Sequence, residues 1–215
     1  MFDTILFDFD GTVFDTVKGI TKSVRHALNK QGKDAALDSL RCFAGPPLQY
    51  SFMTYTGLTE EETARAIEDF RARYEPVGVY ESRPFPGIAE LLDTLRGAGK
   101  TLGIATSKPQ KLAETLLERA GLREKFHAVR GSDPKVVDNE KWEVVTWVME
   151  ALGADPATTV LVGDTKFDVA GAQRCFIPCI GVRWGYAAPD ELEEAGADWI
   201  VTDMEELKQL LLGER

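Results

Sequence analysis

Two short stretches hold the residues best suited to chemistry. In Asp8-Phe9-Asp10-Gly11-Thr12, two carboxylates stand two residues apart where the apolar run Ile5-Leu6-Phe7 ends, and a glycine that permits a sharp turn follows. Asp164-Thr165-Lys166-Phe167-Asp168 brings two more directly after Val160-Leu161-Val162-Gly163. Aspartate is poorly suited to a β-run, so its presence at both places calls for a chemical reason. Converging carboxylates repel unless a cation lies among them, and hard oxygen donors with few other ligands suit Mg2+. The metal donors expected are therefore Asp8, Asp10, Asp164 and Asp168. A carboxylate is also a competent nucleophile toward phosphorus once cations neutralise the phosphoryl oxygens. Asp8 is expected as that nucleophile, and Asp10 as the acid that protonates a leaving alkoxide and then deprotonates water.

Other catalytic classes have little support. The chain has only two histidines, His26 and His127, and no Gly-x-Ser-x-Gly elbow, which argues against a histidine-assisted serine or cysteine nucleophile. Cys42, Cys175 and Cys179 are an odd number at spacings that fit neither a zinc site nor a disulfide framework, so free thiols in a reducing cytosol are expected. A net charge of −10 disfavours phosphate-backbone binding, and nucleic acid is not an expected partner. No apolar run reaches membrane-spanning length, and Met1-Phe2-Asp3-Thr4 leads into a first strand with no basic signal-peptide region. A cytoplasmic protein acting on a small phosphorylated metabolite, as a monomer or homodimer, is the expectation.

The elements that must position these residues follow from the apolar pattern. Short β-rich runs at Thr4 to Phe9, Thr101 to Thr106, Thr159 to Gly163 and Ile177 to Val182 suit a sheet covered on both faces, with a further short strand at Trp199 to Val201. Helical patterns lie at about 88 to 99, 109 to 121, 141 to 152, 166 to 176 and 203 to 212. This alternation predicts an α/β fold with a doubly wound parallel sheet. From about Asp15 to Phe85 the pattern is helical only (Val17, Ile20, Val24, Leu28; then Ala64, Ile67, Phe70, Tyr74), which predicts a helical insertion. The boundaries expected are a core of residues 1–14 and 85–215 and an inserted unit of 15–84. In an open parallel sheet the loops at the carboxyl ends of the strands form the ligand crevice, where Asp8, Asp10, Thr106 and Asp164 fall. Thr106 offers a hydroxyl and an amide to phosphoryl oxygens, with help from Ser107 and from the helix that begins near Pro109.

Together these residues resemble the haloacid dehalogenase superfamily, whose motifs are Asp-x-Asp-Gly-Thr, a strand-terminal Thr or Ser, a Lys, and Gly-Asp-x-x-x-Asp. The likeness covers nearly the whole chain, because the helical insertion stands where that superfamily carries a mobile cap. It looks nearest to the phosphoglycolate phosphatase-like branch, given Gly45-Pro46-Pro47-Leu48, Ala105-Thr106-Ser107-Lys108-Pro109 and Gly181-Val182-Arg183-Trp184-Gly185-Tyr186. The resemblance implies a magnesium-dependent phosphatase with an aspartyl-phosphate intermediate. Relatives described as 5′-nucleotidases or pyrophosphatases leave the substrate open. Dehalogenases and phosphonatases of the superfamily replace the second Asp, so Asp10 implies a phosphate ester, while Thr12, usually Val or Ile in the mutase relatives, implies hydrolysis over phosphosugar transfer. The family lysine is expected at Lys141, where a helix begins, in preference to Lys135 in the preceding loop; the family's usual Lys-Pro pair is absent there. Substrate contacts are expected at Gly11, Thr12 and Ser107 in the core and at Arg41, Gly45 and Pro46 in the insertion.

Plainer readings stand beside these. Asp168 in the first turn of a helix also complements its dipole. Thr106 also fits simple β-propensity, and Gly45-Pro46-Pro47 a rigid turn between helices. Trp184 and Tyr186 suit aromatic packing. Two rival classes share parts of the pattern. A receiver domain uses an acidic cluster and an aspartyl phosphate, but not on its first strand and without an insertion. A catalytically silent phosphate-binding regulatory module would be expected to have lost some of the carboxylates, and all are present.

Overall fold

The computed structural model describes residues 1–132 and 140–213. It divides into two compact units, Met1–Phe14 with Pro84–Arg215, and Asp15–Arg83. The first is an α/β unit. Strands Thr4–Phe7 (β1), Thr101–Pro109 (β4), Ala128–Ser132 (β5), Thr159–Gly163 (β6), Cys179–Val182 (β7) and Trp199–Val201 (β8) form one sheet in the order β5-β4-β1-β6-β7-β8. Every pairing in it is parallel. The short strands Phe14–Asp15 (β2) and Arg83–Pro84 (β3) pair as a separate ribbon.

Helices cover both faces, which is why the central strands are apolar throughout. On one face Leu6, Ala105 and Leu161 pack with Val144, Val145 and Val148 of the helix Lys141–Leu152 (α6) and with Val169 and Ala172 of Lys166–Arg174 (α7). Side chains alternate along a strand, so Ile5, Phe7, Ile104, Val160 and Val162, all fully buried, face the other way. That face is covered by Ile88–Gly97 (α4), Gln110–Arg119 (α5) and Met204–Leu212 (α9), while Glu191–Ala195 (α8) packs on α7.

The second unit is helical. Val17–Lys30 (α1) buries Ile20, Val24, Ala27 and Leu28, and Glu60–Tyr74 (α3) buries Ala66, Phe70 and Tyr74 against it; Leu48–Thr56 (α2) adds Phe52. A reciprocal Thr59–Glu62 capping box starts α3 within the Glu60-Glu61-Glu62 run. Thr16 stands at the N-cap of α1 but makes no side-chain capping bond.

Three differences from the sequence pattern have local causes. The strand Ala128–Ser132 escaped the apolar-run criterion because it is an edge strand that alternates, with Val129 and Gly131 buried and Arg130 exposed. The strand at 101 continues past Thr106 to Pro109, with a register shift against β5 between Ala105 and Pro109. The strand expected from Ile177 starts at Cys179 instead, since Pro178 has no amide hydrogen to give the ladder.

Candidate active site

The register of three adjacent strands assembles the site. Phe7 of β1 lies opposite Ile104 of β4 and Val162 of β6, so Asp8, Thr106 and Asp164 all project from the same carboxyl edge. The Asp8 amide donates to Val162 O at 2.8 Å, which continues the ladder one residue past the strand and fixes the Asp8 backbone. The chain then closes a tight loop in which Val13 and Phe14 both donate to Phe9 O and Gly11 N donates to Phe14 O. Gly11, with φ +88°, supplies the left-handed turn that this loop requires.

Asp8, Asp164 and Asp168 are all buried, and each offers one carboxylate oxygen within 4.8 Å of the others. Among the described residues, one ammonium pairs with this group. Lys141 Nζ lies 2.5 Å from Asp8 Oδ1 and 2.6 Å from Asp168 Oδ1. Its stem reaches there through the packed α6–α7 interface at Gly171, where a Cβ would fall 2.6 Å from Lys141 Cγ. Burial works against the charge on Lys141, but Asp168 and then Asp8 outweigh it and hold the pKa above the usual lysine range. Three carboxylates to one lysine leave an excess of negative charge. Burial pushes the Asp8 carboxyl up from 3.8 to about 7, with Lys141 pulling it down and Asp168 pushing it up. Burial, then the charges of Asp168 and Asp8, lift Asp164 well above its ordinary value against the pull of the Tyr186 amide and Lys141. A buried all-oxygen donor set that its own lysine cannot neutralise fits a hard divalent cation.

Asp164 is held by its surroundings on every side. Its Oδ2 accepts from Tyr186 N at 2.8 Å, and its Oδ1 accepts from Thr12 Oγ1 at 3.4 Å. A Cβ on Gly11 would stand 2.0 Å from Asp164 Oδ2, and one on Gly185 would stand 2.2 Å from Asp164 Cβ. Trp184 Nε1 donates to Thr12 O at 3.2 Å. Trp184, Gly185 and Tyr186 thus form a strap that binds the Asp164 carboxylate to the first acidic loop, a role aromatic packing alone does not describe.

Asp168 has two tasks. Its Oδ2 accepts from Asp164 N (3.2 Å), Thr165 N (3.0 Å) and Thr165 Oγ1 (2.9 Å), a capping box at the start of α7, while Oδ1 holds Lys141. Gly163 makes room for it, since a Cβ there would fall 2.4 Å from Asp168 Cβ.

The Asp10 carboxylate stands outside this group. Lys108 Nζ grips it at 3.0 Å to Oδ1 and 3.3 Å to Oδ2. Among the described residues the carboxylates that cluster are therefore those of Asp8, Asp164 and Asp168, while the Asp10 carboxylate is drawn to a lysine of its own, which leaves its backbone carbonyl as the Asp10 donor expected for the metal. Lys108 is a site residue that pattern reading passed over, as it lies 98 positions from its partner and just beyond the expected strand end. Thr106 is buried, and its Oγ1 accepts from Lys108 N at 3.1 Å, while Ser107 O accepts from Ser132 Oγ at 2.8 Å.

Arg41, Gly45 and Pro46 belong to the helical unit. Arg41 is an exposed residue of the 3-10 turn Leu37–Phe43, and Gly45 has φ +102°. Lys135, the alternative to Lys141, lies outside the described residues. His127 is structural, its Nδ1 accepting from Leu102 N at 3.0 Å. The three cysteines are free thiols. Among the described residues, no helix is long and apolar enough to cross a membrane.

Residues 5–182 match the family described as haloacid dehalogenase-like hydrolases. The chain belongs to this family. A 5′-nucleotidase from Pseudomonas aeruginosa is 36% identical over 211 residues, 98% of this chain and 96% of the relative. A phosphoglycolate phosphatase from Agrobacterium fabrum is 33% identical over 187 residues, 84% of this chain and 80% of its own. Among solved structures, one described as a predicted phosphatase from Clostridium acetobutylicum superposes with a TM-score of 0.95 at 37% identity, covering 99% of each chain. The protein is thus an enzyme of the phosphatase type within the haloacid dehalogenase-like hydrolases, and it carries an acidic cluster able to hold the divalent metal that such phosphatases use.

Proposed function

We propose that the protein is a magnesium-dependent phosphomonoesterase that works through a phosphoryl group carried on Asp8. The observation that carries this reading is the division of labour between two neighbouring carboxylates, Asp8 on Lys141 inside the acidic cluster and Asp10 on Lys108 outside it. Asp8, Asp164 and Asp168 offer the side-chain oxygens for Mg2+, which when bound neutralises charge on the phosphoryl oxygens and on the cluster. Asp8 attacks phosphorus, forming an Oδ–P bond as the P–O bond to the alcohol breaks. Asp10 gives its proton to the departing oxygen. Asp10 then takes a proton from water, which attacks the acyl phosphate and releases inorganic phosphate and Asp8. Lys141 holds Asp8 still, and the hydroxyl of Thr106, with Ser107 and the loop amides at Gly11 and Thr12, orients phosphoryl oxygens.

The substrate we infer is a small phosphomonoester. The phosphoglycolate phosphatase-like string Thr106-Ser107-Lys108-Pro109 supports phosphoglycolate, and the longer, more identical match to a 5′-nucleotidase supports a nucleoside monophosphate. Arg41, Gly45 and Pro46 are proposed as contacts to the leaving group. Purified protein assayed with Mg2+ against phosphoglycolate, nucleoside monophosphates, hexose phosphates and pyrophosphate separates these substrates. Asp8→Asn, correctly folded, is expected to abolish release of phosphate from whichever ester is turned over; normal turnover by that variant would falsify the nucleophile assignment.

A further inference from the structure

The geometry points to Lys108 as a positioning residue for Asp10, fixing the carboxylate that handles the leaving-group proton. The inference rests on the reading of Asp10 as general acid and base given above.

Lysine is seldom buried without a partner, yet the Lys108 side chain is only 3% exposed. Its ammonium spans both oxygens of Asp10, at 3.0 and 3.3 Å, so the carboxylate cannot turn about its last torsion without losing a contact. The lysine is itself fixed. Its Nζ lies 5.6 Å from the centre of the Phe9 ring, which stacks on Phe14 at 4.6 Å. Its amide donates to Thr106 Oγ1, and its carbonyl lies so near Gly131 that a Cβ there would stand 2.4 Å away. The register shift between Ala105 and Pro109 brackets this residue, so the irregularity in β4 falls where the strand delivers the ammonium to Asp10. Nucleophile and acid/base are therefore each gripped by a separate lysine from a different element, Asp8 by α6 and Asp10 by the end of β4. Lys108 sets where the Asp10 oxygens point, and Asp10 does the transfer.

A leaving-group comparison tests this. p-Nitrophenolate departs readily without a proton, whereas phenolate gains more from one, and kcat/KM reports the steps through loss of the leaving group. With Mg2+ present, Lys108→Met is expected to lower kcat/KM on phenyl phosphate by about 10–100-fold and on p-nitrophenyl phosphate by less than about threefold, part of what acid catalysis supplies. Asp10→Asn should show the same pattern more strongly, and Lys108→Met added to it should cost nothing further. Lys108→Gln replaces Lys108→Met if thermal melting shows a fold defect. Equal losses on both substrates, or losses that multiply in the double variant, overturn the positioning role. A folded Asp10→Asn enzyme that hydrolyses phenyl phosphate normally overturns instead the acid/base reading beneath it.

Discussion

Gly185→Ala tests whether the strap over Asp164 governs metal binding. The added methyl would sit 2.2 Å from Asp164 Cβ and 2.4 Å from Asp164 Oδ2. Carbon atoms in contact rest about 3.5–4.0 Å apart, so the two groups must separate by more than about 1 Å. Asp164 has little freedom to retreat, being fully buried at the end of β6 with Gly11 also packed against its carboxylate. The strap must therefore lift, and the Tyr186 N–H that donates to Oδ2 at 2.8 Å goes with it. A hydrogen bond to a charged group contributes about 1.5–3 kcal/mol, and about 1.4 kcal/mol is a factor of ten, so Mg2+ affinity is expected to fall roughly 10–100-fold. Isothermal titration of Mg2+ into the wild type, Gly185→Ala and Gly97→Ala gives the answer directly; no atom lies within 4 Å of a Cβ at Gly97, which makes it the control. A wild-type Kd for Gly185→Ala would refute the argument that the strap orients Asp164.

Two other outcomes follow from the charge balance of the cluster. Lys141→Met leaves Asp8 and Asp168 buried without their shared cation, and breaking a buried ion pair of this kind costs about 3–5 kcal/mol, so the denaturation midpoint should drop sharply and recover in part when Mg2+ is added. An unchanged midpoint in urea would show that Lys141 carries no such load. Asp8, raised by burial to about 7 from 3.8, holds its proton more tightly in the native state than in the unfolded chain, so its contribution to stability is lost as pH rises through about 7. Bound metal displaces that proton. With its carboxyl raised to about 7, Asp8 is ionised more fully at pH 8 than at pH 6, so Mg2+ should bind more tightly at pH 8 and raise Tm more there. Thermal shifts with Mg2+ and with chelator at both pH values measure this, and equal increments would contradict it.

What could be read from the chain alone was what is local. Asp8 and Asp10 announce themselves because a β-run does not otherwise end on paired aspartates, and the start of α6 at Lys141 and of α7 at Lys166 follows from apolar periodicity. The structure adds what depends on distant pairing. Nothing near Lys108 indicates Asp10, because their meeting requires the β4–β1 pairing and an irregularity in β4. Gly171 and Gly185 resemble any other glycine until the side chains of Lys141 and Asp164 are seen to need their space. Asp168 shows the opposite case, where the plain helix-start reading holds and the same carboxylate also carries an ion pair, since one oxygen caps α7 and the other binds Lys141. The edge strand Ala128–Ser132 was hidden because a strand covered less completely keeps a polar alternation.

The path of Lys141 over Gly171 has a kinetic meaning as well as a structural one. A lysine on a surface gives up about 1.5–2 kcal/mol of rotamer freedom each time it is asked to hold a ligand in place. Here the four-carbon stem is confined by the packing of α6 on α7, so that freedom is lost once, when the chain folds. Under the proposed function, each arriving phosphate ester would meet Asp8 with its orienting charge already in position.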